Sequence, residues 1–278
     1  MGSRTSRTFQ VRVLITVTTY PLPSRSHGEL VCTAGILEDG SWIRIYPVPF
    51  SFLEFRKYQW IDLDLVPHDR AKDFRPESHR PAQYDLNDLK ELRQLDTRQN
   101  WRERKAACLK NVYTNMTSLI ADSQEPQNTS LAAFRPTTIR RLIVEEDERQ
   151  WKPEWLEQLK QVDWLTNPTS GSNQPRAPVD KIPYKFKYQF EDCEGKTSTM
   201  TIEDWEIGAL YRNCLASSGD EGDAIAKVRQ KYEDEFLSAK DITLFLGTTL
   251  EHHRRRHPNP FTIIGVFYPP RDSQANLF

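Results

Sequence analysis

The stretch Thr201-Ile202-Glu203-Asp204-Trp205-Glu206-Ile207-Gly208-Ala209-Leu210-Tyr211 crowds three carboxylates and two aromatic rings into what reads as the first turns of a helix. Carboxylates placed where strand propensity gives way to helix propensity complement the positive end of the helix dipole. The same groups have a second chemistry open to them. Asp204 and Glu206, joined by Asp192 or Asp241, carry the hard oxygen donors that a divalent cation needs for phosphodiester hydrolysis. Magnesium is a cofactor only under that reading, and otherwise none is expected. A nuclease would also want a lysine on a neighbouring strand end, for which Lys181, Lys196, Lys227 and Lys240 are the candidates.

A cationic run, Glu251-His252-His253-Arg254-Arg255-Arg256-His257, lies between two apolar segments. Arg254, Arg255 and Arg256 present paired N–H donors that match phosphate oxygens, the bland alternative being a solvated loop. Adjacent His252 and His253 cannot easily turn both rings to one ion, so zinc is not expected there. In Trp42-Ile43-Arg44-Ile45-Tyr46, alternation puts Trp42, Arg44 and Tyr46 on one strand face. If the isoleucines fill a small barrel, that face offers a guanidinium between two rings, which suits a nucleobase or nucleotide. Its alternative is a packed face with Arg44 snorkelling. Tyr184, Phe186, Tyr188 and Phe190 likewise either stack bases on an open sheet or are covered by the helices that follow. Arg75, His79 and Arg80 stand in a nearby proline-rich loop.

Positioning these groups requires the elements around them. Phe9 to Thr18 reads as a strand, and Glu29 to Ile36 with Ser41 to Tyr46 reads as a hairpin turned by Asp39-Gly40, before Pro47 and Pro49 stop it. Tyr58 to Leu65 is a further strand. Helical spacing spans Leu86 to Leu95 and Trp101 to Ile120, and a strand follows at Ile139 to Val144. Trp151, Trp155 and Trp164 mark a short helix. A second hairpin runs from Tyr184 through Thr197 to Ile202, then helices over Glu203 to Leu215 and Gly222 to Leu237, then strands at Ile242 to Leu246 and Phe261 to Phe267. The fold class is α+β, with two mixed lobes that are each a small antiparallel sheet or partial barrel with packed helices. The Pro, Ser, Asn and Gly-rich segment at 166–180 reads as the linker between a first lobe at 8–165, β-rich with a helical extension, and a second at 181–270.

Composition narrows the function. Of the 278 residues, 38 Lys and Arg nearly cancel 39 Asp and Glu, so a basic face has to be local and a nonspecific nucleic-acid coat protein is disfavoured. Cys32, Cys108, Cys193 and Cys214 are too far apart for a zinc or redox motif and read as reduced thiols. No apolar run is long enough for a bilayer and no secretory signal is recognised, which predicts a soluble cytoplasmic protein without a membrane partner. Walker, dinucleotide-binding and kinase signatures are absent. In small-barrel character and in Arg with aromatic residues, the lobes resemble PUA-like and OB-like nucleic-acid modules. Sequence alone therefore predicts an RNA-, DNA- or nucleotide-binding protein using Trp42, Arg44, Tyr46, Arg254, Arg255 and Arg256. A metal-dependent phosphodiesterase at Asp204 and Glu206 is the first alternative, and a subunit of a protein complex the second.

Overall fold

The computed structural model describes residues 8–24, 28–50, 55–83, 86–154 and 179–271. The first lobe contains β1 (Phe9–Thr18), β2 (Leu22–Ser24), β3 (Gly28–Leu37), β4 (Trp42–Pro49), β5 (Gln59–Pro67), β6 (Ser78–Pro81), β7 (Lys90–Gln94) and α1 (Arg98–Cys108). β1 pairs antiparallel with both β3 and β5, β3 with β4, and β5 with β6, while β4 and β6 run parallel. Five strands thus close in the order β1-β3-β4-β6-β5-β1. Alternate residues fill the interior: Val13, Ile15, Val31, Ile43, Ile45, Ile61, Leu63 and Leu65. Leu14, Val17, Ala34 and Ile36 point outward but are buried as well, against Phe245, Ile264 and Phe267 of the second lobe. Burial on both faces explains why the second half of β1 loses its apolar/polar alternation and is continuously β-prone.

The second lobe contains β8 (Val112–Tyr113), α2 (Met116–Asp122), β9 (Leu131–Phe134), β10 (Thr138–Glu146), β11 (Tyr184–Glu191), β12 (Thr197–Thr201), α3 (Trp205–Ser218), α4 (Glu221–Arg229), a π-helical turn (Gln230–Glu235), α5 (Phe236–Ala239), β13 (Thr243–Thr248), α6 (Leu250–Arg254) and β14 (Phe261–Phe267). β10, β11 and β12 form one antiparallel sheet, and β9, β13 and β14 another, with β8 parallel to β9. A parallel bridge between Ile202 and Ile263 joins them. With β9 and β10 taken as one interrupted strand, the pairing repeats the order of the first lobe, less completely closed, and α3, α4, the π-helical turn and α5 fall between its third and fourth strands. Both lobes therefore follow the Greek-key order of an OB-type barrel. The helical layer covers Phe186, Tyr188 and Phe190. The Tyr188 hydroxyl donates to the Tyr232 carbonyl inside the π-helical turn.

Several elements differ from the sequence reading. Residues 90–94 are a strand rather than part of a helix, because the edge of β5 pairs with them from Gln59 to Asp62. The helical stretch from Trp101 to Ile120 is split by β8, and Gln99, Asn100 and Trp101 form a left-handed turn at the head of α1. β4 continues through Pro47 to Pro49. The expected loop at 73–81 ends in β6, and the cationic run begins with α6. Trp155, Trp164 and the expected linker, apart from Val179 and Asp180, lie outside the described residues. Strand pairing draws 131–146 into the second lobe, since β9 bonds to β13 and β10 to β11. Among the described residues no helix is long and apolar enough to cross a membrane.

Gly35 marks the tightest strand approach. A Cβ there would sit 2.3 Å from Val13 Cγ1 and 2.5 Å from the Leu14 carbonyl oxygen, which is backbone and cannot swing aside. Gly35→Ala is expected to lower unfolding free energy by about 1–3 kcal/mol, read from urea midpoints at an unchanged m-value.

Candidate nucleic-acid interface

In each barrel the fourth and fifth strands are joined by a polar connection, 68–77 between β5 and β6 and 249–260 between β13 and β14. The two connections meet. Arg44 on β4, only 4% exposed, donates to the Thr248 carbonyl at 3.0 Å and to the carbonyl and hydroxyl of Ser130 at 2.9 and 3.2 Å. Arg75 donates to the same Thr248 carbonyl at 2.8 Å and is paired with Asp73 at 2.7 Å. Glu77 accepts from the amide and hydroxyl of Ser130 at 2.9 and 2.8 Å. His253, buried on α6, holds Thr248 Oγ1 at 3.1 Å and meets the Phe74 ring edge-on at 4.9 Å. Burial lowers its pKa, keeping the imidazole neutral as a hydrogen-bonding wedge.

Around this joint the surface is cationic. Arg70, Lys72, Arg254, Arg255 and Arg256 are exposed there against the carboxylates Asp69 and Glu251. Arg255 pairs with Glu251 at 2.9 Å, and Arg254 donates to the Lys72 carbonyl, tying one connection to the other. His252 and His257 stack with centroids 5.0 Å apart. Two large apolar side chains are notably exposed among the described residues, Tyr46 at 39% and Phe9 at 37%. Both adjoin this region: the Tyr46 carbonyl lies 2.8 Å from His68 Nε2, and Phe9 meets the His79 ring at 5.5 Å.

Of the residues singled out from sequence, Tyr46, Arg254, Arg255 and Arg256 lie on this surface. Arg44 and Trp42 face the second barrel instead. Trp42 packs edge-on against Phe245 at 5.2 Å, and the Arg44 guanidinium is enclosed, so the geometry gives both a structural part. Phe186, Tyr188 and Phe190 are core residues. Arg75 belongs to the joint. The sequence reading passed over Phe9, His68, Arg70 and Lys72. Their signal was the short polar run His68-Asp69-Arg70-Ala71-Lys72 after a strand, which gains meaning only once the strand order places it beside the arginine run.

The acidic block lies elsewhere. Asp204 is the N-cap of α3 and accepts from the Glu206 amide at 3.3 Å, the Val266 amide at 3.3 Å and Lys57 Nζ at 3.1 Å, while Glu206 accepts from Lys57 at 2.9 Å. Val266 pairs with Leu244, four residues along β13 from Thr248, a rise of about 13 Å from the basic connection. Asp192 instead binds the Met116 amide at 3.0 Å, and Asp241 faces Arg135 at 3.4 Å. The lysines are dispersed too: Lys181 pairs with Asp147, Lys196 reaches Thr117, Lys227 reaches Gln230 and Lys240 faces Glu235. Among the described residues no cluster of three His, Cys, Asp or Glu side chains is arranged to hold a metal.

Fold and surface together define a tandem-barrel α+β protein with a shared basic face. Residues 112–278 match the model of a family described as Domain of unknown function (DUF8757), and the chain belongs to that family. Residues 9–110 match a second, Domain of unknown function (DUF8758), so the two matches meet between α1 and β8. No curated protein matches the chain.

Two expectations follow from the joints. Arg44→Ala removes one of two donors from each of the buried carbonyls of Thr248 and Ser130, which keep Arg75 and the Thr248 amide, and is expected to cost about 1–3 kcal/mol by urea denaturation. Burial raises the Asp204 pKa to about 6 against the opposing pull of Lys57. The native state then binds more protons than the unfolded state between the unfolded carboxylate pKa and about 6, so the Asp204 contribution is fully present at low pH and is lost as pH rises through that window. The wild-type slope of stability against pH should be more negative there than that of Asp204→Asn, by a total of about 1–3 kcal/mol across the window.

Proposed function

We propose that the protein binds single-stranded nucleic acid across the joined connections of its two barrels. Arg254, Arg255 and Arg256, with Arg70 and Lys72, contact phosphates, and Tyr46 stacks on a base. The observation that carries this reading is the meeting of two fourth-to-fifth-strand connections, the region OB-type barrels use for oligonucleotides. Exposed cations cluster there in a chain whose net charge is only -1, and the most exposed aromatics among the described residues, Tyr46 and Phe9, stand beside them. A flexible single strand suits a surface that offers ring faces and scattered cations rather than a groove-reading helix. We place its work in the cytoplasm, in keeping with four free cysteines. The hydrolytic alternative draws no support from the geometry, since Asp204 and Glu206 hold Lys57 and lie apart from the arginines.

The test is binding of labelled single strands and duplexes across a salt series, with and without magnesium. Arg254→Ala/Arg255→Ala/Arg256→Ala should weaken binding to single strands and reduce the slope of log affinity against log salt by about 2. Tyr46→Ala should cost about 1–3 kcal/mol with the slope unchanged. Salt-insensitive binding, or a folded triple variant that binds like wild type, overturns the reading. Magnesium-dependent shortening of the strand would restore the phosphodiesterase.

A further inference from the structure

The connections between first and second strands also meet, on another part of the molecule. Tyr20, just after β1, donates its amide to the Glu203 carbonyl at 2.9 Å and its hydroxyl to the Asp180 carbonyl at 2.7 Å, between β10 and β11. A cavity of about 250 Å³ opens there, lined by Tyr20, Trp151, Tyr184 and Phe186 and by the start of α3. Gly208 permits the close packing of its wall: a Cβ would lie 2.5 Å from the Tyr20 ring and 2.9 Å from Ile182.

The polar groups of the cavity are unevenly satisfied. The Tyr184 hydroxyl is taken by Glu221 at 2.6 Å. Lys181 and Lys185 both pair with Asp147, at 2.7 and 3.0 Å. Glu203 also lines the cavity, and its carboxylate has no hydrogen-bond or ion-pair partner among the described residues. The residue is exposed to solvent, and desolvation by its surroundings raises its pKa.

An aromatic cavity with one free carboxylate selects a flat ring that offers parallel N–H donors. Guanine alone among the common bases has two on one edge, at N1 and the 2-amino group. Adenine and cytosine set one amino group beside a ring-nitrogen lone pair, which repels the second carboxylate oxygen, and uracil and thymine flank a single N–H with carbonyls. We propose that this cavity takes one unstacked guanine, with Glu203 accepting from N1–H and the 2-amino group, and so gives the nucleic-acid surface its base preference. The proposal rests on the nucleic-acid reading above. The Glu203 amide donates to the Ile263 carbonyl at 2.7 Å, two residues along β14 from Phe261 at the end of the basic connection. That is a rise of about 7 Å, within reach of one strand.

The experiment compares the full chain with Glu203→Gln on labelled oligothymidylate of about 15 nucleotides and on the same strand with one central deoxyguanosine or deoxyinosine. Wild type should bind the guanine strand about tenfold more tightly than the all-thymidine strand, lose most of that on inosine, which lacks the 2-amino group, and show a ratio near one in Glu203→Gln. Equal affinity of wild type for the two strands, or a ratio that survives Glu203→Gln, overturns the guanine subsite while leaving the basic surface standing. Guanosine monophosphate titrated against tryptophan emission separates the two ideas. If no oligonucleotide binds yet the mononucleotide does, and Glu203→Gln abolishes it, the cavity stands and the nucleic-acid surface falls. Displacement by an arginine amide but not by the mononucleotide overturns the proposal in favour of an arginine-bearing peptide.

Discussion

The proposed binding surface depends on how the two barrels are held, and one constraint dominates that joint: the Arg44 guanidinium must stay charged although the residue is only 4% exposed. Its nearest acceptors are the neutral carbonyls of Thr248 and Ser130, so it is held by oriented dipoles, with the Glu77 and Asp73 carboxylates close behind. The fit is incomplete, as Arg44 Nε and Ser78 Oγ are buried without hydrogen-bond partners among the described residues. Such a network costs stability, and the apolar cluster beside it, built from Leu14, Ile36, Phe245, Ile264 and Phe267, offsets that cost. In return the contact has one geometry. Thr248 is the last residue of β13, so fixing its carbonyl fixes where the arginine-bearing connection emerges.

A second joint prevents rotation about the first. Lys57 reaches from the first barrel between Asp204 and Glu206, and those two carboxylates raise its pKa well above that of a free lysine despite burial. Next to it Tyr58 takes a positive φ of 62°, and Gln99, Asn100 and Trp101 form a left-handed turn. Non-glycine residues adopt such a backbone at a cost of about 1–2 kcal/mol each, so a compensating contact is required. Trp101 supplies it, packing on Phe267 at 5.4 Å and Tyr268 at 5.2 Å, with the Arg104 guanidinium 4.2 Å from the Tyr58 ring centroid and 4.9 Å from that of Trp101. The acidic block that first suggests metal chemistry thus acts as helix cap and ion-pair acceptor. The helix-terminal role follows from the local sequence, but the ion pair with Lys57, far away in the chain, does not.

That contrast sets how much was legible. Strands β1, β3, β4, β5, β11, β12, β13 and β14 stand close to where alternation and turn residues put them, because side-chain period and a positive-φ glycine at 40 are local properties. The two-lobed α+β class was equally readable. Strand order was not: the parallel pairing of β4 with β6, and the capture of 90–94 by β5, depend on partners distant in sequence. Arg44 shows the limit most sharply. Its alternation with Ile43 and Ile45 correctly put it on the outer face of the barrel, yet that face is covered by the second barrel, and no pattern within β4 distinguishes an outer face that meets water from one that meets protein.

The same consideration supports placing the proposed ligand contacts in the connections rather than on a strand face, where many OB-type barrels bind. On the outer side of β11 in the second barrel, Lys185 pairs with Asp147, Lys187 with Glu145, and Glu191 with Arg140, while Gln189 accepts from Arg141. Each cation there already has an acceptor, as Arg254 and Arg255 have at the rim, but here the rings point inward to the core. A nucleic acid laid on that face would have to break pairs of like strength to those it formed, with no stacking gain. The matching face of the first barrel is covered where Trp42 and Arg44 meet the second barrel and opens at Tyr46, one residue pair further along β4. Packing two barrels face to flank therefore leaves accessible phosphate donors and an exposed ring together at the rim, where the connections emerge.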